Sequence, residues 1–300
     1  MHRCRLSLVV ALSMAAATPL LAQTPALAPL TAQLPGGTRE LSMANAGMGA
    51  TNASVLFYNP AQVAEARGTD LSAQRYGAST LLTTLASTVS LGEGAIGIGV
   101  KLLGFSGPTA GLGSPDSLGA NGATAMSGFE ATLGYARELL GVRAGLNLKL
   151  MDQALAATHD RRGSVDVGLA RDLWRGVLGV SAQNLGPALR YGATRAFQPT
   201  RVNVGYTSDI LQAGPLDLDA ATSVARVRGG DWTAALGGEV AWSWLEGYRV
   251  AARAGVRNPA AGEGAWTAGL GISADRLTLE VASDSRRHRP AAYRIGLTIR

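Results

Sequence analysis

Apolar and polar residues alternate along most of the chain after residue 69. The clearest case is residues 141–150, in which Leu146, Leu148 and Leu150 alternate with polar or small positions. Similar alternation recurs up to the last residues of the chain. Because successive side chains of a β-strand point to opposite faces, this period of two predicts strands, and the intervening Gly, Pro, Asn and Asp predict turns.

The pattern divides into about fourteen strands, each of about the length that a tilted bilayer crossing requires. We predict them at 69–77, 82–91, 94–103, 128–137, 141–150, 164–171, 176–184, 201–208, 215–225, 231–241, 248–256, 265–273, 276–283 and 291–299.

The predicted connections fall into two classes. Long ones, at 104–127, 151–163 and 185–200, all follow odd-numbered strands. Tight links such as Gly92-Glu93 and Ala274-Asp275 follow even-numbered strands. Short periplasmic turns with longer external loops are typical of outer-membrane barrels.

Composition supports a membrane barrel. Hydrophobic residues make up 47% of the chain and charged residues only 16%. No segment after the N-terminus has enough consecutive apolar residues to cross a bilayer as a helix, and the closed β-barrel is the other fold that satisfies its backbone in lipid. We therefore expect an all-β fold, a transmembrane antiparallel β-barrel of the outer membrane. A soluble periplasmic β-sandwich is a distant alternative, because it also alternates.

Charged residues on the strands are expected to face the interior. A barrel of this size encloses a lumen too wide for side chains alone to fill, and such a lumen tolerates charge. The predicted lumen-facing residues are Glu130, Arg143, Lys149, Asp166, Glu239, Arg253 and Arg294.

The first residues predict export. Arg3 and Arg5 precede an apolar run over residues 6–22, and small residues follow it. These are the parts of a cleaved signal peptide, and a retained anchor helix is the alternative. We expect a signal peptide at 1–22, with cleavage as late as 28, a linker and lumen plug at 23–68, and the barrel at 69–300.

No catalytic chemistry is predicted. The only cysteine, Cys4, precedes the apolar run, and the pair His159-Asp160 lies on an extended segment, on which adjacent side chains point apart. The glycines of 92–99 lie in and before a strand, where they cannot cradle a phosphate. Arginines account for most of the net charge of +6 but are scattered singly, which argues against nucleic acid. We expect neither an enzyme nor a cofactor or metal site.

The segment before the first strand resembles a known signature. Ala46-Gly47-Met48-Gly49 leads into Phe57-Tyr58-Asn59-Pro60-Ala61, similar to the start of PorV/PorQ-like outer-membrane proteins, relatives of the FadL-type long-chain fatty-acid transporters. Residues 183–186 with Pro199, and the last strand at 292–300, are similar to further family patterns. Two positions depart from the family, since Gln62 replaces a glycine and Arg300 replaces a terminal aromatic residue.

The resemblance implies a fourteen-stranded barrel whose N-terminal segment folds inside the lumen. The plug and turn residues would be Gly47, Gly49, Phe57, Tyr58, Asn59, Pro60 and Ala61. It implies a membrane component that binds other proteins, as in type IX secretion. The alternative is a FadL-like channel for hydrophobic small molecules. Expected partners are the lipid bilayer, the barrel-assembly machinery, and either secretion-system proteins or hydrophobic small molecules.

Overall fold

Fourteen antiparallel strands form a closed barrel in the computed structural model, which describes residues 28–77, 80–105, 126–155, 158–191, 193–259 and 263–300. The barrel strands are β1 (Gly68–Tyr76), β2 (Thr80–Leu91), β3 (Gly94–Phe105), β4 (Met126–Leu139), β5 (Val142–Leu155), β6 (Thr158–Asp172), β7 (Gly176–Leu185), β10 (Arg201–Ser208), β12 (Leu216–Val227), β13 (Trp232–Leu245), β14 (Tyr248–Arg257), β15 (Glu263–Ala274), β16 (Leu277–Arg286) and β17 (Arg289–Ile299). Each of the fourteen predicted strands overlaps one of them, which confirms the predicted fold.

Hydrogen bonding closes the barrel at both of its seams. The first strand pairs with the last, from Thr69 opposite Ile299 to Arg75 opposite Tyr293. In the middle of the chain, β10 pairs with β7 on one side and β12 on the other. A closed sheet has no free edge, so every barrel strand has two hydrogen-bonded neighbours.

The apolar face of the barrel points outward. On β5, Leu146, Leu148 and Leu150 are 44%, 54% and 43% exposed, whereas Asn147 and Lys149 between them are buried. A water-soluble β-sandwich would bury the leucines, so that alternative is wrong. The outer surface instead suits a lipid environment. No helix within the described ranges is long and apolar enough to span a bilayer.

The two ends of the barrel differ. Tight turns such as Gly92-Glu93 and Leu140-Gly141 lie at the end that we name the turn end. The opposite, loop end carries a hairpin of two short strands, β8 (Leu189–Tyr191) and β9 (Thr194–Ala196), within the predicted loop 185–200. At the turn end, the short strand β11 (Leu211–Ala213) extends the sheet before β12. Residues 106–125 of the loop predicted at 104–127 lie outside the described residues.

The loop predicted at 151–163 is wrong, because strands β5 and β6 run through most of it. Gln153 pairs with Asp160, and Asp152 pairs with Arg161, so the hairpin extends beyond the apolar band. Polar residues occupy both faces there, which removes the alternation on which the strand prediction depended.

Residues 28–67, here named the plug, cross the lumen from the loop end to the turn end. The plug contains an α-helix, α1 (Thr38–Ser42), and three 3₁₀ helices at Thr31–Gln33, Ala53–Phe57 and Pro60–Ala64. The chain leaves the lumen at Gly68, whose φ of 101° and whose closeness to the Ile299 carbonyl both require glycine.

Candidate functional site

Glycines on the inner face of the wall receive the plug. Among the described residues, a Cβ atom built at any of twelve such positions would lie 3.0 Å or less from a plug atom. They lie on ten different strands, and we name them the glycine seat: Gly97, Gly99, Gly128, Gly134, Gly145, Gly168, Gly179, Gly205, Gly237, Gly255, Gly269 and Gly296. The plug thus contacts the wall closely, through its backbone at positions such as Gly145 and Gly255 and through the side chains of Leu56 and Met48 at others, so a larger wall residue at these positions would collide with the plug.

The motif from Phe57 to Ala61 is buried at the centre of this contact. Asn59 caps the third 3₁₀ helix by accepting a hydrogen bond from the Ala61 amide (3.1 Å), with Pro60 as the first helical residue. The Asn59 amide group also donates to the carbonyl of Leu169 in the wall (3.3 Å). Asn59-Pro60 therefore starts a helix, where the sequence predicts only a turn.

Wall side chains bind the backbone of the same motif. Gln183 Nε2 donates to the carbonyls of Phe57 (3.0 Å) and Tyr58 (2.8 Å), and Ser181 Oγ donates to that of Tyr58 (3.0 Å). Gln62, the departure from the family pattern, is fully buried, and neither atom of its amide has a hydrogen-bond partner among the described residues.

Tyr58 joins distant parts of the plug. Its hydroxyl accepts hydrogen bonds from the amides of Gly36 (3.2 Å) and Gly37 (3.3 Å) and donates to Asn45 Oδ1 (3.2 Å). Burial, followed by the charge of Glu40, raises the pKa of the Tyr58 phenol to about 12. The phenol is therefore neutral at physiological pH.

Of the two predicted plug glycines, one packs against the plug and the other against the wall. A Cβ at Gly47 would meet the side chains of Glu40 and Tyr58 within the plug, and a Cβ at Gly49 would meet Thr207 of the wall. Both positions are buried. Each glycine therefore permits a close contact that any larger residue would prevent.

One group of buried charges, here named the lysine network, lies on β3 to β6. Lys149 contacts Asp166 (2.8 Å) and Glu130 (3.8 Å), and Lys101 contacts Glu130 (3.7 Å). Lys101 also donates to the plug carbonyls of Thr31 (3.2 Å) and Leu34 (3.3 Å). Two cations thus neutralise two carboxylates within the wall itself.

A second group, the arginine network, lies on β12 to β16 and includes a residue of the plug. Arg39 of α1 bonds Asp219 (2.6 Å) and Glu239 (3.1 Å). In the wall, Arg253 bonds Glu239 (2.5 Å) and Glu280 (2.7 Å). Burial lowers the pKa of Arg39, but the carboxylates of Glu239 and Asp219 more than compensate and raise it overall, so Arg39 stays charged.

Arg294 and Arg143 complete the predicted lumen-facing set, and all seven of its residues are buried. Arg294 donates to the plug carbonyls of Pro35 (2.9 Å) and Gly36 (2.8 Å) and to wall hydroxyls. Arg143 pairs with Asp172 and approaches Glu65 at the plug exit (3.7 Å). The seven residues fall into several separate groups. Within these groups the side chains bind other wall residues, the plug or both.

Two cavities flank the plug. The turn-end cavity measures about 600 Å³ and is lined by Arg39, Trp244, Tyr248, Arg249 and Glu280 among others. The loop-end cavity measures about 310 Å³ and lies between the plug, at Leu34 and Phe57, and the wall, at Arg201. Among the residues that the structure describes, no cluster could hold a metal ion.

The glycine seat and the roles of Arg39 and Arg201 are not among the features predicted from the sequence. The sequence does contain a signal for the seat. The seat glycines lie in phase with inward-facing residues of the same strand, as Gly145 does between Arg143 and Asn147. Nothing in the sequence pairs Arg39 with residues about 180 and 200 positions away.

The comparisons with known proteins identify a shared fold. The toluene transporter TodX of Pseudomonas putida superposes with a TM-score of 0.58 at 12% identity, covering 88% of this chain and 96% of that one. The monoaromatic hydrocarbon channel CymD gives 0.59 at 10% identity, with 88% and 96% covered. A FadL homologue of Pseudomonas aeruginosa gives 0.54 at 10%, with 92% and 99% covered. The barrel has the FadL-type fold. No family model and no curated protein matches the sequence.

Proposed function

We propose that this protein is an outer-membrane channel for hydrophobic small molecules and that the plug controls their passage. The observation that carries the proposal is the pair of cavities on opposite sides of the plug, inside a closed barrel with an apolar exterior. Because the plug lies between the two cavities, we expect a molecule to pass from one to the other by movement of part of the plug.

The fold similarity supports this choice of substrate. TodX is described as a toluene transporter and CymD as a monoaromatic hydrocarbon channel. At identities of 10–12% the similarity concerns the fold, so the substrate class is part of the proposal. Toluene is a suitable first probe, because it is a monoaromatic hydrocarbon and the molecule named for TodX.

The proposal includes an orientation and an export route. The loop end faces the cell exterior, the turn end faces the periplasm, and residues 1–22 are a cleaved signal peptide. The barrel-assembly machinery then inserts the chain into the lipid bilayer. Epitope tags within 185–200 should be labelled on intact cells, whereas a tag at Glu138-Leu139 should not. Reversed labelling would invert the proposed orientation.

A reversible lock tests whether the plug controls passage. The Ser181 Oγ atom of the wall lies 3.8 Å from the Met48 Sδ atom of the plug, so these two side chains already face each other. We expect Met48→Cys with Ser181→Cys, in a Cys4→Ser background, to lose toluene uptake when oxidised and to recover it on reduction. Each single-cysteine variant is the control. Equal uptake by the oxidised and reduced double variant would show that passage does not require plug movement at this position.

Removal of the plug tests the same idea in the opposite direction. We expect deletion of residues 39–61 to leave an assembled barrel with greater ion conductance in planar bilayers, because the deleted residues fill the lumen. Heat-modifiable gel migration reports assembly. An assembled deletion variant with unchanged conductance would contradict the proposal. Pro60→Ala is a milder change that should accelerate protease cleavage near Glu65 while the strands stay folded.

A second candidate is a partner-binding component of the PorV/PorQ-like type, which serves protein secretion without conducting. The observation that favours it is the glycine seat, whose close contacts leave no space for larger wall residues beside the plug. A pull-down from detergent-solubilised outer membranes separates the two candidates. Recovery of secretion-machinery proteins would favour the second candidate, and copurified hydrophobic molecules would favour the channel.

A further inference from the structure

Arg201 lines the loop-end cavity, and none of its side-chain nitrogens lies within ion-pair distance of a carboxylate of the described residues. It starts β10 with its side chain on the inner face and is half-buried. Its Nε atom is fully buried without a hydrogen-bond partner, and within the described part of the chain Arg201 forms no ion pair. A guanidinium group in such a place is costly unless an anion accompanies it.

The other charges of this cavity are already paired. Arg257 bonds Asp284 and lies 3.5 Å from Glu263, and Arg286 lies 3.5 Å from the same Asp284. Among the residues that the structure describes, three arginines and two carboxylates therefore line the cavity, which leaves one positive charge in excess. The neutral phenol of Tyr58 does not balance it. This excess of one positive charge matches a ligand with one negative charge.

The remaining walls of the cavity suit a compact apolar group. Leu30, Leu34, Pro35 and Phe57 of the plug line it opposite the barrel wall. Its volume of about 310 Å³ lies at the lower limit of the range for ligand pockets, about 300–1,000 Å³. A single aromatic ring with one carboxylate fits within this volume.

We propose that the loop-end cavity binds compact aromatic carboxylates, with the carboxylate on Arg201 and the ring against Leu34 and Phe57. The planar guanidinium group matches a carboxylate in a two-point hydrogen-bonded pair. This inference rests on the proposed channel function and extends its substrate class from uncharged hydrophobic molecules to aromatic molecules with one negative charge. Binding there places the ligand directly against the plug.

Titration calorimetry of the detergent-solubilised full-length protein tests the inference, with benzoate as the probe and benzamide as its uncharged counterpart. We expect wild-type protein to bind benzoate at least tenfold more tightly than benzamide. Arg201→Ala should weaken benzoate binding at least tenfold and leave benzamide unchanged, whereas Arg201→Lys should retain part of the affinity. Arg226→Ala is the matched control, because Arg226 lies on β12 beside the partner of Arg201 but is exposed on the outer face.

Two results would overturn the inference. One is equal affinity of the wild-type protein for benzoate and benzamide, or no binding of benzoate, which requires no variant and so does not depend on folding. The other is unchanged benzoate binding by an assembled Arg201→Ala barrel. Toluene uptake reports separately on the channel. Uptake of toluene without benzoate binding removes only the inference, and benzoate binding without toluene uptake removes the proposed channel function.

Discussion

The two halves of the lumen hold the plug in different ways. On β3 to β6, the lysine network is neutral by itself, and the wall meets the plug through glycines, hydrogen bonds to plug carbonyls and one ion pair, from Arg143 to Glu65 at the plug exit. On β12 to β16, the wall carries more carboxylates than arginines, and Arg39 of the plug supplies a missing cation. Loss of the plug would thus leave the first half electrically balanced and the second with uncompensated carboxylates.

This difference has a consequence for plug movement. Separation from the β3 to β6 wall breaks close packing and hydrogen bonds, which are short-ranged. Separation of Arg39 from Glu239 and Asp219 leaves these carboxylates with one cation fewer, which is unfavourable until water solvates them. We therefore expect plug movement to begin at the part of the β3 to β6 wall away from Arg143 and Glu65, where no ion pair between described residues joins plug and wall.

The largest effect is expected inside the lysine network. Lys149→Met leaves Glu130 and Asp166, both fully buried, with one cation fewer. We expect the free energy of unfolding to fall by about 3–5 kcal/mol, as when a buried pair loses one partner. Denaturant titration in lipid vesicles measures it. A loss below about 1 kcal/mol would mean that water screens these charges and that the network is not a dry structural unit.

The next effect concerns the glycine seat and has a matched control in the adjacent residue. A Cβ at Gly237 would meet the backbone of Met43, whereas at Gly238, on the outer face, the nearest atom is the Asp219 carbonyl oxygen at 3.8 Å. We expect Gly237→Val to cost about 1–3 kcal/mol of stability through overpacking. It should also increase protease cleavage within the plug, and Gly238→Val should do neither. Similar results for both variants would argue against tight seating.

A smaller effect is expected for the ion pairs of Arg39, which is partly exposed. Arg39→Ala should reduce stability by about 1–2 kcal/mol, after discount for solvent screening. If neutralisation is its role, Asp219→Asn in the Arg39→Ala background should restore part of the loss, since it removes one excess carboxylate. Unfolding of the two variants and the wild type in parallel measures this. A further loss in the double variant would show that hydrogen bonding, rather than charge balance, matters.

The smallest effect is expected at the loop end, outside the lumen. Arg161 bonds Asp152 at 3.0 Å, but its side chain is 64% exposed. Arg161→Met should change stability by less than about 0.5 kcal/mol, because exposed ion pairs contribute little. The same denaturant titration serves as the measurement. A loss comparable to that of Lys149→Met would erase the proposed distinction between lumen and surface charges.

The sequence by itself determined the barrel. Strand number and approximate boundaries followed from the alternation of residues such as Leu146 and Leu148 with Asn147 and Lys149. Alternation reports a local property, namely which side chains share a face, and a barrel wall needs that property at every strand. The prediction failed at 151–163 because polar residues on both faces of the extended hairpin leave no alternation to detect.

Only the tertiary structure decided how the lumen is filled. The inward position of Glu130 or Arg253 follows from strand alternation, but their partners do not, because ion pairs join residues far apart in the chain and depend on register and on the path of the plug. The same holds for Arg39, which lies outside any strand. It holds also for Arg201, whose buried Nε atom has no hydrogen-bond partner among the described residues. The direction of a side chain depends on its own strand. The balance of charge and the filling of volume inside a closed barrel depend on all of the strands and the plug together.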